Sequence, residues 1–210
     1  PSAPALEAPA TPARVTTVAL DRGLRITPRG GNNHIGGSAL LLEAGGSRIL
    51  VDAGLRPDAH VSRPGPKGID AAAIGGLDAV LITHAHADHL SAAHWLKTRH
   101  FPQAPIAIGQ GIVEVQQRFR ALFNLDGDGF SADGSQFDCL LLDGDELAIG
   151  SLRLQVIAVP GHTGDSNAFL IGDALFVGDS LFMPDGGTAR CDFPGGSAAT
   201  LYRSIQRLYV

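Results

Sequence analysis

The chain has 210 residues, of which 44% are hydrophobic, and its formal net charge is −5. This length fits one globular domain, and the acidic balance argues against a protein that neutralises nucleic-acid phosphates. No apolar run approaches the roughly 18 residues of a membrane-spanning helix, and two cysteines are too few for a disulfide framework. We therefore expect a cytoplasmic protein that binds neither nucleic acid nor membranes.

The chain begins with an alanine- and proline-rich stretch, residues 1–14, which we expect to be an extended tail or linker before a single domain at 15–210. Short apolar segments bounded by glycine or proline then predict strands at 15–20, 24–27, 38–44, 47–52 and 77–83. Ser91 is the expected N-cap of a helix that continues to about His100.

The second half of the chain alternates in the same way between helix and strand patterns. Residues 110–124 carry apolar side chains at helical spacing and predict an amphipathic helix. Further strands are predicted near 136–142, 152–159, 168–171 and 174–177. Runs of strands with helices between them predict an α/β fold of layered sheets flanked by helices.

A histidine cluster directly follows the predicted strand at 77–83. Its sequence is Thr83-His84-Ala85-His86-Ala87-Asp88-His89. In an extended segment, residues two apart point the same way, so His84 and His86 can reach one metal ion. Asp88 and His89 follow within one turn and can face a neighbouring ion. Imidazole and carboxylate donors suit zinc, iron and manganese, so the cluster predicts a metal site.

Two later motifs also stand where predicted strands end. His162 lies in Pro-Gly-His-Thr after the strand at 152–159, and Asp179 lies in Gly-Asp-Ser after the strand at 174–177. Because functional residues often sit on loops that a rigid sheet positions, both are candidate metal ligands. Asp179 could ligate one ion or bridge two.

The order HAHADH, PGHT and GDS resembles that of the metallo-β-lactamase superfamily. Within it, LITHAHADHLSAA and VGDSLFMPDGGTARCDFPGG closely resemble the persulfide (sulfur) dioxygenases, whose relative is glyoxalase II (hydroxyacylglutathione hydrolase). This resemblance implies an αββα sandwich with the metal site at one edge of its two sheets. It also leaves open a chain that is cut before the last strands of that fold.

The resemblance implies a single Fe(II) held by His84, His162 and Asp179. Two histidines and one carboxylate on one face leave open positions for a thiolate and for O₂. His86, Asp88 and His89 would then support those ligands, or would bind metal themselves in a dinuclear hydrolase.

The resemblance further implies that Arg190, in the segment TARCDF, contacts the glutathione part of the substrate. An arginine fork suits a peptide that bears carboxylates. The implied reaction is the O₂-dependent oxidation of glutathione persulfide, or of a related low-molecular-weight persulfide, to sulfite and thiol. The expected partner is that small molecule, and a homodimer is among the assemblies compatible with the sequence.

Two features depart from the dioxygenase pattern. Residues 30–56 look more like the opening of superfamily nucleases, in which a VDAG-like turn places the residue equivalent to Asp52 near the metal edge, where it supports a ligand. No histidine follows His162, although superfamily members usually supply a last one that completes a second metal site.

Two other functions therefore stay open. One is a dinuclear zinc hydrolase, in which a metal-bound hydroxide attacks a thioester, lactone or β-lactam. The other is an inactive fragment or interaction module that retains the motif but exposes apolar sheet surface. The cofactor alternatives are accordingly Fe(II), or one or two Zn²⁺ ions, because these metals share the same ligands.

Overall fold

The structure, a computed structural model, describes residues 18–19, 23–31, 36–56, 69–127 and 129–209. The predicted tail at 1–14 lies outside the described residues. The larger sheet has seven strands that neighbour one another in chain order. These are β1 (Val18–Ala19), β2 (Arg25–Gly30), β3 (Ala39–Ala44), β4 (Ser47–Val51), β5 (Ala79–Ile82), β6 (Ile106–Gly109) and β7 (Cys139–Leu141).

The smaller sheet has four antiparallel strands in the spatial order β11-β10-β9-β8. They are β8 (Glu146–Ile149), β9 (Leu152–Ala158), β10 (Asn167–Ile171) and β11 (Ala174–Phe176). The helices are α1 (Ala71–Ile74), α2 (Ala87–Leu90), α3 (Ala93–Arg99), α4 (Ile112–Phe123) and α5 (Ala198–Leu208), with 3₁₀ turns at Leu125–Gly127 and Gly178–Ser180. None of these helices is long and apolar enough to cross a membrane.

Strand direction brings the functional turns to one edge. β1 to β4 pair antiparallel, whereas β4, β5, β6 and β7 pair parallel, so β4 and β5 end at the same side of the larger sheet. β9 and β11 lie on either side of β10, both antiparallel to it, and therefore end at the same side of the smaller sheet. The segments after β4, β5, β9 and β11 carry Asp52, the histidine cluster, His162 and Asp179.

Two apolar layers hold the sheets and helices together. Side chains of β3 to β6 alternate between the two faces of the larger sheet, as the two-residue period of a strand requires. One face packs on α1, α3 and α4 through residues that include Leu41, Leu50, Ile82, Leu96, Ile108 and Ile112. The other packs on the smaller sheet through residues that include Leu42, Leu81, Leu154, Val156, Phe169 and Ile171.

The fifth helix packs against the smaller sheet, at the end of β9. Leu201 of α5 is buried, and the Ser204 hydroxyl donates to the Pro160 carbonyl at 2.7 Å, at the turn that follows β9. Helices thus lie outside two facing sheets, which confirms the predicted mixed α/β sandwich.

Some local predictions need correction. β6 and β8, each four residues long, were not predicted. The sequence of β6, IAIG, is apolar and buried throughout and gives no alternating pattern, and that of β8, ELAI, has one buried residue and is too short to show one. Ser91 is not a helix N-cap, since α3 begins after Ala92 and no side chain caps it. The Ser91 hydroxyl instead accepts a hydrogen bond from the Leu55 amide at 2.8 Å, which joins the turn after β4 to the histidine cluster.

Candidate metal centre

The buried carboxylate of Asp52 organises the histidine cluster. Asp52 follows β4, is 2% exposed and has a φ of 62°, a left-handed conformation that aspartate tolerates better than most residues. It accepts hydrogen bonds from the Thr83 amide at 2.8 Å and from the Thr83 hydroxyl at 2.9 Å. Its second oxygen lies 2.8 Å from Nδ1 of His89. Asp52 therefore supports a histidine at the metal edge, as the resemblance implied.

These contacts set the tautomers of two histidines. Because the Thr83 hydroxyl donates to Asp52, the Nδ1 of His84, 3.1 Å away, donates to that hydroxyl. The Nδ1 of His89 likewise donates to Asp52. The Nε2 atom of each ring then faces the centre of the site, where a bound metal ion would take the place of any proton on it.

His162 reaches the same point from the smaller sheet. It follows Gly161, whose φ of 142° and whose close approach to Leu201 leave no room for a side chain: a Cβ would lie 2.3 Å from the Leu201 amide nitrogen. The Nδ1 of His162 donates to the Arg190 carbonyl at 2.6 Å, so its Nε2 also points inward.

The donor atoms converge on a shared point. The Nδ1 of His86 lies 3.2 Å from Nε2 of His84 and 2.9 Å from Nε2 of His162. Three imidazole nitrogens that converge on one point in a largely buried position provide the donor set of a metal site, so these residues fit a metal ion.

Asp179 completes the centre from the turn after β11. Its Oδ1 lies 3.3 Å from Nε2 of His89, and its Oδ2 lies 3.8 Å from Nε2 of His162. Gly178, with a φ of 53°, brings this turn so close to Thr83 that a Cβ would lie 2.8 Å from the threonine side chain. The carboxylate therefore faces both the histidine cluster and His162, a position suited to a ligand or a bridge.

The predicted ligands form two overlapping donor groups. The first contains His84, His86 and His162, and the second contains His84, His89 and Asp179. Asp88 belongs to neither group: 36% of its side chain is accessible, against 28% for Asp179, and its Oδ2 lies 3.8 Å from Nε2 of His89.

The two groups differ in charge. Burial and the neighbouring histidines lower the pKa of His84, and burial and His162 lower the pKa of His86 to about 4. Burial also opposes protonation of His89, but Asp179 and Asp52 overcome it and raise the pKa of His89 to about 10. Burial would raise the pKa of Asp179, yet the hydrogen bond and charge of His89 keep it below its usual value.

The predicted substrate residue Arg190 lies beside this centre with an exposed side chain. Its guanidinium pairs with Asp192, at 2.6 Å from Nε and 2.5 Å from Nη2. The guanidinium also stacks over the Phe193 ring at 4.5 Å, and that ring meets the His86 ring edge-on at 5.1 Å. The structure thus joins Arg190 to the metal centre through its carbonyl and through Phe193.

A cleft of about 350 Å³ opens onto His89 and Asp179. Its walls include Gly30, Gly36, Ser38, Asp88 and Phe182. This space lies beside the donor atoms and is of a size that admits a small molecule.

Sequence reasoning did not identify the roles of Thr83 and Phe193. Thr83 immediately precedes the histidines, and a hydroxyl next to a ligand cluster is a usable signal for a supporting group. Phe193 follows Arg190 by three residues, and the pairing of an aromatic ring with a nearby arginine was the available signal.

Residues 33–210 match the Metallo-beta-lactamase superfamily. The chain belongs to this superfamily. The superfamily prediction is therefore confirmed.

Individual relatives agree with this placement. Glyoxylase B2 of Dictyostelium discoideum is 52% identical over 130 residues, 61% of this chain and 44% of that protein. A probable metallo-hydrolase of Burkholderia pseudomallei is 46% identical over 188 residues, 81% of this chain and 63% of that protein. The crystal structure of ETHE1 from Myxococcus xanthus has a TM-score of 0.55 at 26% identity, over 93% of this chain and 69% of that one. The chain thus spans less than two thirds of these two curated relatives.

Proposed function

We propose that the protein is an iron-dependent dioxygenase that oxidises glutathione persulfide, or a related low-molecular-weight persulfide, to sulfite and thiol. The observation that carries this proposal is that Arg190 contacts a metal donor with its backbone and offers its guanidinium, here called the anion anchor, to a substrate. The Arg190 carbonyl accepts the hydrogen bond of His162, while the Arg190 guanidinium lies exposed beside the same centre. A substrate that carries both a sulfur ligand and a carboxylate fits this pairing.

His84, His162 and Asp179 would hold the iron. Oδ2 of Asp179 lies 3.8 Å from Nε2 of His162, and His84 shares one donor group with His162 and the other with Asp179. Hydrogen bonds at Nδ1 of both histidines turn their Nε2 atoms towards the site. Iron bound there would supply the reduction of O₂ and a coordination position for the persulfide sulfur. Three protein donors leave the remaining positions to those two ligands.

The chain's own groups bind and orient the substrate. Arg190 binds a carboxylate of the thiol, and the exposed rings of Phe182 and Phe193 cover the approach to the donors with apolar surface. In the overall reaction one persulfide, one O₂ and one water give one thiol, one sulfite and two protons. The terminal sulfur is oxidised and O₂ is reduced, so no further reductant is required.

The test starts from protein purified without oxygen and without added metal. We expect about one iron per chain by elemental analysis, and O₂ consumption with sulfite formation when glutathione persulfide is added. Protein that binds iron but neither consumes O₂ nor forms sulfite with persulfides would contradict the proposal.

A dinuclear zinc hydrolase is the second candidate. The second donor group, His84, His89 and Asp179, favours it because two overlapping groups could hold two ions. A relative named as a probable metallo-hydrolase also supports it. This function requires about two zinc ions per chain, hydrolysis of a thioester such as lactoylglutathione, and a rate that does not depend on oxygen.

A further inference from the structure

We propose that Phe193 is a specificity-determining residue. It selects substrates whose carboxylate can reach Arg190 across its ring while the sulfur stays at the metal donors. The inference rests on the proposed function for the identity of the sulfur substrate. It concerns a residue that neither the metal site nor the anion anchor includes.

Phe193 lies between the two groups that the substrate must reach. The guanidinium of Arg190 is 4.5 Å from the centre of the Phe193 ring. The centre of the His86 ring is 5.1 Å from the same point, and the two rings meet edge to face. The guanidinium is therefore no more than about 10 Å from a histidine of the metal centre. The ring of Phe193 is 41% exposed, so a bound molecule can contact it.

The orientation of Arg190 depends on this ring and on Asp192. Asp192 engages Nε and Nη2 of the guanidinium, which leaves Nη1 for a ligand. Arg190 and Asp192 are two residues apart in one exposed segment, and 62% of the Arg190 side chain is accessible. An exposed ion pair alone holds an arginine weakly, so the stacking on Phe193 supplies the second constraint.

This arrangement sets a distance requirement on the substrate. One extended residue spans about 3.5 Å, so a carboxylate one or two residues from the sulfur can reach Arg190 while the sulfur stays at the donors. Glutathione persulfide meets this requirement. A persulfide without a carboxylate cannot use Arg190 and should be indifferent to Phe193.

The experiment compares three variants of the purified protein with wild type. F193L removes the aromatic face but keeps an apolar side chain, and F193Y keeps the face. F123L is the matched control, since Phe123 is an exposed phenylalanine of α4 with no role in the site. The probes are S-methylglutathione and its dimethyl ester, measured by calorimetric titration, and glutathione persulfide, measured by O₂ uptake.

We expect F193L to weaken S-methylglutathione binding about threefold to tenfold and to raise KM for glutathione persulfide similarly, with kcat within about twofold. F193Y and F123L should bind as wild type does. The diester should bind weakly and equally to all four proteins. The metal content of F193L should equal that of wild type, because the specificity role does not require Phe193 to hold His86.

Several results would overturn the inference. These are no binding of S-methylglutathione by wild type, unchanged binding by F193L, an equal loss for the diester, or loss of metal in F193L. Binding that depends on Phe193 in a protein that consumes no O₂ would leave this inference standing and would refute the proposed dioxygenase function instead.

Discussion

The two halves of the metal centre are supported in different ways. On the N-terminal side, a buried carboxylate, Asp52, holds Thr83 and His89 through side-chain hydrogen bonds. On the C-terminal side, the Nδ1 of His162 is held by a main-chain carbonyl, that of Arg190. One half therefore depends on the charge of a single side chain, whereas the other depends on where a loop places its backbone.

The two kinds of support respond to different substitutions. A carboxylate can be neutralised by one mutation, but a carbonyl persists whatever side chain replaces Arg190. Substitutions in the N-terminal half should therefore produce graded effects on metal affinity. In the C-terminal half, the ligands themselves are the sensitive positions.

Removing one ligand from either half should have the largest effect. We expect H84A and H162A to lose bound metal and to lose more than about 100-fold in activity, because replacing even an outer supporting group costs 10- to 100-fold. Elemental analysis and the activity assay measure both effects. H94A is the control, since His94 is exposed on α3 and contributes to neither donor group. Full metal content in H84A would refute the assigned site.

Neutralising Asp52 should have the next largest effect. In D52N the amide cannot offset a positive charge on His89 and can no longer accept every hydrogen bond from Thr83 and His89, so the histidines lose their fixed orientation. We expect metal affinity to fall about 10- to 100-fold. Competition with a chelator of known affinity measures this loss, and D173N, at an exposed turn, provides the comparison. An affinity equal to that of D173N would show that the N-terminal half needs no charged support.

Replacing His86 should have a smaller effect and should separate the two candidate functions. If iron is held by His84, His162 and Asp179, H86A retains about one ion with affinity reduced about tenfold, as for loss of a supporting group. If two zinc ions occupy both donor groups, H86A loses one of two ions because His86 is then a ligand. Counting metal ions per chain in H86A and wild type distinguishes these outcomes.

The sequence predicted the centre well where donors are local. His84, His86 and His89 lie within six residues after a strand, so their proximity follows from strand and turn geometry alone. His162 and Asp179 were predicted because each follows a segment with a strand pattern, whereas Asp52 was predicted from the resemblance of its turn to that of superfamily nucleases. That these strands end at one edge is a consequence of sheet topology, which a strand pattern does not specify.

Contacts made by the backbone were beyond prediction. Nothing in TARCDF indicates that the carbonyl of Arg190, rather than its side chain, holds His162. Likewise, Ser91 has the sequence of a helix cap, but its hydroxyl binds the Leu55 amide because tertiary packing places that donor nearby. Such contacts depend on loop positions that are set by the whole fold.

A second buried carboxyl, Asp165, contrasts with Asp52, and its replacement is predicted to change stability. Both are 2% exposed, but neither carboxylate oxygen of Asp165 has a hydrogen-bond partner in the part of the chain that the structure describes. Burial raises the pKa of Asp165 to about 6. The folded protein therefore binds this proton more tightly than the unfolded chain, and the stability that it confers is lost as pH rises through about 6.

We expect D165N, which carries no charge at any pH, to be more stable than wild type at pH 7 by about 1–3 kcal/mol. The advantage should shrink as pH falls from 6 towards 4, because Asp165 then becomes neutral in the folded protein. Urea unfolding of both proteins across this pH range measures the difference, with D173N as the exposed control. A difference that does not change with pH over this range would mean that burial does not raise the pKa of Asp165, and would contradict the prediction.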